Sequence, residues 1–189
     1  MLMGNIAVIF PGVGYHADKP LLYYSKKLAA EAGYELFEVA YSHFPMVDKK
    51  SAASMNAAFT LARAQAEDAL RDVNFAKYGK VLFLTKSIGT IAAADYTAAH
   101  GLKADFVFYT PLAQTFRFPA QNAVAFHGTA DPWADTPTVK GLCEERNVPL
   151  HLYAGANHSL ETGNVPVDLE TLRDVMRKTE DFIKGVSCG

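Results

Sequence analysis

A serine, an aspartate and a histidine lie in three separate loops of the sequence, in the order Ser87, Asp131 and His158. A serine hydroxyl becomes an effective nucleophile when an adjacent base removes its proton, and a histidine is well suited to that task near neutral pH. A carboxylate next to the histidine fixes its tautomer and stabilises the imidazolium that forms. Together these residue types predict nucleophilic attack on a carbonyl, provided that the fold brings them together. Asp135 is the nearest alternative to Asp131 as the acid.

Two backbone N–H groups are expected to stabilise the negative charge that such an attack creates. A serine between a strand and a helix lies in a sharp turn, and the N–H of the next residue, here Ile88, points to the oxygen that becomes negative. The helix that starts there directs its positive end to the same place. The Val13 N–H, in the loop after the first strand, is the second expected donor, and each donor typically lowers the barrier by ~3 kcal/mol.

These loops are separated by short apolar segments that alternate with longer segments of helical periodicity. The predicted strands are Asn5–Phe10, Tyr34–Tyr41, Lys80–Thr85, Ala104–Tyr109, Asn122–Phe126 and Pro149–Tyr153. The first predicted helix is capped by Asp18, carries Pro20 in its first turn and ends near Gly33. The other predicted helices are Ser51–Val73, Ser87–His100, Thr136–Arg146 and Asp168–Lys184.

This alternation predicts one α/β domain over residues 1–189. A single doubly wound, mostly parallel sheet of about six strands should carry helices on both faces, with right-handed crossovers. Such a sheet binds its ligands at the carboxyl ends of the strands. Because the serine, aspartate and histidine loops each follow a strand, all three should open onto that edge.

The sequence Thr85-Lys86-Ser87-Ile88-Gly89 resembles the G-x-S-x-G nucleophile elbow of the α/β-hydrolase superfamily, whose triad also follows in the order Ser, Asp, His. Gly128-x-x-Asp131 and Asn157-His158-Ser159 resemble the acid and histidine loops of its small members related to dienelactone hydrolases. The resemblance covers nearly the whole chain, although Thr85 replaces the first glycine and Pro11-Gly12 stands where the superfamily often has His-Gly. It implies a carboxylesterase-like serine hydrolase without a metal or organic cofactor.

The segment 110–121 is too short for the lid that the superfamily usually inserts after the corresponding strand. We therefore expect an open, shallow site without a cap, suited to a small or flexible acyl substrate. Esters, thioesters, lactones and activated amides pass through similar tetrahedral oxyanions, so the sequence does not choose among them. The side chains that could line the site are Tyr15, His16, Phe116, Phe118 and Trp133. Lys86 is expected at the surface or the rim, not as a catalytic base.

Two other classes of protein are compatible with parts of the sequence. Gly12-Val13-Gly14-Tyr15-His16-Ala17 fits the G-x-G-x-x-A motif of a dinucleotide-binding domain, and Glu35 or Glu38 follows at the distance of a ribose ligand. In a dinucleotide site, however, the glycines open the helix, whereas Asp18 and Pro20 predict that the helix begins after the motif. The second alternative is a hydrolase fold that serves only as a binding module, because a fold does not determine function.

Composition and charge narrow the class of protein. A chain of 189 residues with 50% hydrophobic and 20% charged residues should fold and bury roughly 70% of its unfolded surface. The net charge of −2 argues against strong electrostatic binding of nucleic acid. No segment approaches the roughly 18 apolar residues of a membrane span, and Met1–Asn5 does not resemble a signal peptide. We expect a cytoplasmic protein in which Cys143 and Cys188 stay reduced.

Overall fold

The computed structural model describes residues 4–48 and 51–185, which form one six-stranded sheet and five α-helices. The strands are β1 (Gly4–Phe10), β2 (Tyr34–Glu38), β3 (Tyr78–Lys86), β4 (Asp105–Tyr109), β5 (Asn122–Gly128) and β6 (Leu150–Tyr153). The helices are α1 (Pro20–Glu31), α2 (Ala52–Leu70), α3 (Ile88–His100), α4 (Thr136–Glu145) and α5 (Val165–Lys184). All neighbouring strands pair in parallel, in the order β2-β1-β3-β4-β5-β6. The predicted doubly wound sheet is confirmed.

The two faces of the sheet carry separate apolar cores. Successive strand residues point to opposite faces, so Val8 and Phe10 pack with α2, α3 and α4, whereas Ala7 and Ile9 pack with α1 and α5. Strands covered on both sides are apolar along their length, as β1 is. Full burial of a large apolar side chain contributes about 1.5–3 kcal/mol, so the two cores hold the strand ends in place.

The order of the strands creates a crevice above β1 and β3. The chain runs from β1 outward to β2 and then crosses to the other side of β1 to form β3. Loops that follow β1 and β3 therefore diverge to opposite faces and leave a gap at the carboxyl ends of these strands, where ligands bind in open α/β sheets. Val13 follows β1 and Ser87 follows β3, so both border this crevice.

Helix α1 begins without the predicted Asp18 cap. Lys19 occupies the N-cap position, and no side chain caps the helix, because Pro20 is the first helical residue and sets its start one position later. The Asp18 carboxylate instead pairs with the Lys26 ammonium at 3.2 Å. The prediction of Asp18 as the cap was wrong, whereas the position of Pro20 was as expected.

Three bounds differ from their predicted positions by three residues, and one of them is the end of α2, at Leu70 and not at Val73. Strand β2 ends at Glu38 and not at Tyr41. Of the three residues that follow Glu38, only Val39 hydrogen-bonds to β1, by donating its N–H to Ile9 O at 3.0 Å. Helix α5 begins at Val165 and not at Asp168, because the Asn164 side chain caps it and Pro166 lies in its first turn.

In the parts of the chain that the structure describes, no helix combines the length and the apolar character needed to cross a membrane. Cys143 is buried on the inner side of α4, where burial raises the pKa of its thiol to about 12. The other cysteine of the sequence, Cys188, and residues 1–3 at the start of the chain lie outside the described residues.

Candidate active site

Ser87 lies in a strained turn between β3 and α3. Its φ of 55° and ψ of −122° lie outside the regions that non-glycine residues usually adopt. The Ser87 N–H donates to Tyr109 O at 3.0 Å, and this hydrogen bond holds the turn in place. Although Ser87 occupies the N-cap position of α3, its side chain makes no capping hydrogen bond. The capping role that a serine often has therefore does not explain this residue, whereas exposure of a nucleophilic Oγ does.

The residues around the turn are small where the backbone is crowded. A Cβ on Gly89 would lie 2.4 Å from Phe10 O, so a glycine is needed for α3 to approach the end of β1. A Cβ on Gly12 would lie 3.2 Å from the Cβ of Ser87. Thr85, which replaces the first glycine of the elbow motif, is buried and donates its hydroxyl to Val107 O at 2.8 Å. The turn therefore accommodates a threonine at this position.

The structure brings the side chains of Ser87, Asp131 and His158 together. His158 Nε2 lies 2.7 Å from Ser87 Oγ, and His158 Nδ1 lies 2.7 Å from Asp131 Oδ2. The Asp131 side chain is fully buried and that of His158 is 17% exposed. Asp135, the alternative acid, is the N-cap of α4 and accepts the Thr138 N–H at 3.1 Å.

The surroundings of Asp131 keep it ionised. Burial by itself would raise the pKa of this carboxyl, but the hydrogen bond and charge of His158 and the Trp133 N–H, which donates to Oδ1 at 2.8 Å, hold it below its usual value. A further histidine, His127, places its buried Nδ1 at 3.8 Å from Asp131 Oδ2. At neutral pH the carboxylate is therefore an acceptor for the Nδ1–H of His158.

His158 is held in the neutral form that can accept a proton. Burial lowers the pKa of His158, the positive charge of Lys86 lowers it further, and the hydrogen bond to Asp131 only partly opposes them. The Trp133 ring packs beside the imidazole, with centroids 5.8 Å apart. With Nδ1–H donated to Asp131, the unprotonated Nε2 faces Ser87 Oγ as an acceptor.

Both expected donors to an oxyanion border the same cavity as Ser87. Ile88 is the first residue of α3, so its N–H has no acceptor within the helix. Val13 lies in a tight turn in which Gly12 and Tyr15 exchange two backbone hydrogen bonds of 3.0 and 3.2 Å. The position of Gly14 in this turn has a φ of 71°, which favours glycine.

The cavity above Ser87 has a volume of about 420 Å³ and is mainly apolar. Its walls come chiefly from the segment after β2, which supplies Phe44–Val47, and from Met55 of α2. Leu112 and Trp133 complete it next to Ser87 and His158. No lid is inserted among the described residues after β4, where 110–121 contains a short 3₁₀ helix at Ala113–Arg117.

The structure places the predicted substrate-contacting side chains in different surroundings. Trp133 lines the cavity above Ser87. His16 is exposed and lines a neighbouring cavity of about 350 Å³. Tyr15 and Phe116 are buried, 6% and 4% exposed, and Phe118 is half-buried against the same core as Phe116. Only Trp133 of these five stands at the cavity that holds Ser87.

Lys86 does not lie at the surface or the rim, so that prediction was wrong. The residue is 1% exposed, and its Nζ donates to Thr110 Oγ1 at 2.7 Å and lies 4.9 Å from the centre of the Tyr15 ring. Lys86 is the last residue of β3. Every second side chain of a strand points to the same face, so Lys86 should point to the inner face with Leu82 and Leu84, which pack against α1. The alternation of the strand residues in the sequence therefore indicates the inner face for this side chain. Neither His127 nor Thr110 was predicted from the sequence to lie beside the candidate catalytic residues.

The geometry differs from that of a dinucleotide site at the Gly12–Ala17 motif. The first four residues form the tight turn after β1, and α1 begins only at Pro20, so the glycines do not open a helix. Within residues 4–48 and 51–185, no group of three or more His, Cys, Asp or Glu side chains is arranged to hold a metal ion.

The sequence of this chain matches no protein-family model, and it has no detectable relative among curated proteins. Solved structures with a similar fold include a serine hydrolase without a lid from Xanthomonas campestris (TM-score 0.63, 12% identity). The match covers 98% of this chain and 83% of the Xanthomonas chain. A serine hydrolase homologue from Coxiella burnetii (TM-score 0.65, 12% identity) covers 93% and 85%. The mouse α/β-hydrolase domain-containing protein 10 (TM-score 0.66, 11% identity) covers 98% and 93%.

The chain therefore has the α/β-hydrolase fold, and its described residues form a minimal version of this fold without a lid. This confirms the fold that the elbow motif implied. The narrower resemblance to dienelactone hydrolases stays a prediction.

Proposed function

We propose that this protein is a serine hydrolase of the carboxylesterase type, which cleaves a carboxylic ester through an acyl-serine intermediate. The observation that carries the proposal is the continuous chain of hydrogen bonds from Ser87 Oγ through His158 to Asp131, with both distances at 2.7 Å. The strained turn at Ser87 and the apolar cavity beside it add support.

In the first half of the reaction, Ser87 Oγ bonds to the ester carbonyl carbon while His158 Nε2 takes the hydroxyl proton. The N–H groups of Ile88 and Val13 stabilise the oxyanion, and Asp131 stabilises the imidazolium. The C–O bond to the leaving alcohol then breaks, and His158 donates its proton to that alcohol. In the second half, His158 Nε2 takes a proton from water, whose oxygen bonds to the acyl carbon. The bond from that carbon to Ser87 Oγ then breaks, His158 returns the proton to Oγ, and the acid leaves.

The walls of the cavity favour an apolar acyl group. Phe44–Val47, Met55 and Leu112 offer no charged side chain, and about 420 Å³ accommodates a short to medium chain. Because Met side chains adapt to different shapes, the cavity should tolerate several acyl groups. Esters with short to medium apolar acyl chains are therefore the substrate class that we propose, with thioesters and lactones as the comparison in a substrate panel.

The direct test is covalent labelling with a fluorophosphonate, followed by mass spectrometry of the modified peptide. We expect a single adduct on Ser87, because the reagent reacts with a serine that an adjacent histidine activates. A protein that serves only as a binding module would not be labelled. Saturable binding of NAD or NADP, with no labelling of Ser87, would favour the dinucleotide-binding alternative.

The rate of ester cleavage should depend on pH through His158. Only the unprotonated imidazole can accept the serine proton, and burial together with Lys86 places the pKa of His158 below its ordinary value. We therefore expect protonation of His158 to halve kcat/KM only at a pH below about 6.5, the ordinary histidine value, with a further fall at lower pH. Initial rates between pH 4.5 and 8 measure this, and a flat profile over the acidic range would argue against His158 as the base.

A bulkier residue in the cavity should change the preferred acyl length. Replacing Met55 by tryptophan fills space between α2 and Ser87, so we expect kcat/KM for a hexanoyl ester to fall about tenfold relative to an acetyl ester. The matched control is Asn56→Trp, at an exposed position on the same helix. An equal effect of the two substitutions on the hexanoyl-to-acetyl ratio would show that the acyl chain binds elsewhere.

A further inference from the structure

Lys86 is a buried cation beside the candidate catalytic residues, and the mechanism above does not use it. It is 1% exposed and directly precedes Ser87 in the chain. Within the described chain its ammonium forms no ion pair with a carboxylate; it donates to the Thr110 hydroxyl at 2.7 Å and faces the Tyr15 ring at 4.9 Å. A buried charge without a close counter-ion is costly, so a purely structural role would be served better by an apolar side chain.

Thr110 connects Lys86 to His158. Its hydroxyl accepts from Lys86 Nζ and donates to the backbone carbonyl of His158 at 3.1 Å. An ammonium can only donate, so it leaves the Thr110 hydroxyl proton free to point at the carbonyl of His158. This threonine also has a φ of 44°, an unusual backbone for a β-branched residue. The cost of that conformation argues that its side chain is needed here.

We propose that Lys86 is a positioning residue for the candidate base: through Thr110 its ammonium holds the backbone of His158, and its charge opposes protonation of the imidazole. The inference rests on the proposed function for its kinetic consequences. It is independent of the identity of the substrate, because both effects act on His158 itself.

The charges around Lys86 determine when it carries its proton. Burial lowers the pKa of Lys86 to about 7. The charges of Asp131 and Glu161 raise this pKa, and the charge of Lys19 lowers it. The charges that act on His158 are those of Lys86 and His127, which lower its pKa, and that of Asp131, which raises it. Since the pKa of His158 lies below its ordinary value, Lys86 is charged over the acidic range in which His158 titrates.

The first experiment measures the pH profile of kcat/KM for Lys86→Met, which replaces the ammonium with an apolar side chain of similar length. Loss of the charge should shift the acidic limb to higher pH by on the order of half a unit or more. At pH 5, the fraction of its plateau kcat/KM that the variant retains should then be roughly threefold smaller than in the unsubstituted protein. The matched control is Lys19→Met, which removes a less buried lysine that lies 5.4 Å from the centre of the same Tyr15 ring and should shift the limb less.

The second experiment separates the hydrogen bond from the charge. Thr110→Val keeps the shape of the side chain and leaves Lys86 in place, but it removes the hydroxyl that bridges Lys86 and His158. We expect kcat to fall about tenfold, because a hydrogen bond to a buried group is lost. The acidic limb of the pH profile should move less than in Lys86→Met. Thr110→Ser restores the hydroxyl and should recover most of the activity.

The third measurement follows the His158 imidazole by NMR as a function of pH, and it does not need turnover. A higher titration midpoint in Lys86→Met than in the unsubstituted protein supports the proposal even if no ester is cleaved. An unchanged midpoint, together with an unchanged pH profile, overturns it. Unreduced ester cleavage by Ser87→Ala would instead contradict the proposed function, so the two failures are distinguishable.

Discussion

Ser87→Ala is expected to reduce kcat for ester cleavage by at least about 10⁴-fold while leaving the fold intact. The substitution removes the Oγ that lies 2.7 Å from His158 Nε2, so no acyl-enzyme can form. The residual rate should reflect only the oxyanion donors and substrate binding. The fold should persist because the Ser87 side chain makes no capping bond, and its N–H still donates to Tyr109 O.

The measurement compares steady-state kinetics of the two proteins on a short-chain ester, together with circular dichroism and thermal unfolding. Ser42→Ala is the matched control, since Ser42 is an exposed serine near the site that hydrogen-bonds to its neighbour His43 at 3.1 Å. Its activity should stay within about twofold, as for most surface substitutions. Ester cleavage by Ser87→Ala at the unsubstituted rate would mean that the serine is not the nucleophile.

Asp131→Asn is expected to reduce kcat by roughly 10³–10⁴-fold. An asparagine can place its NH₂ group against His158 Nδ1, which then accepts and leaves the proton on Nε2. The imidazole would donate to Ser87 Oγ and could not act as its base. The loss of the negative charge also removes the stabilisation of the imidazolium, because Asp131 is fully buried and solvent does not replace it.

The control for this substitution is Asp135→Asn, four residues further along the same loop. Asp135 accepts the Thr138 N–H as the N-cap of α4, and an asparagine caps a helix about as well. Its kcat should therefore be nearly unchanged. If Asp135→Asn lost activity and Asp131→Asn kept it, the assignment of the acid would be reversed. A pH profile of the residual activity of Asp131→Asn checks that His158 still titrates.

The architecture of the sheet and the convergence of Ser87, Asp131 and His158 could be expected from the sequence. Apolar segments of strand length alternate with helical ones, and this alternation leads to a parallel sheet. The carboxyl ends of parallel strands lie on one edge, so residues that follow β3, β5 and β6 must open on the same side. Local signals also placed Pro20 in the first turn of α1, but they misassigned Asp18 as the cap, because a cap depends on the backbone of a single residue.

The tertiary structure alone decided what surrounds these side chains. The cavity walls at 44–47 and Met55 come from segments far from Ser87 in the chain, and their approach depends on how α2 packs on the sheet. Packing on the two opposite faces of the sheet also buries Phe116 and Tyr15, which the sequence offered as substrate contacts. Strand periodicity fixes the face to which a side chain points, which is why Lys86 could have been assigned to the inner face. Which groups meet it there, and with what effect on its charge, depends on contacts between distant segments that no local pattern encodes.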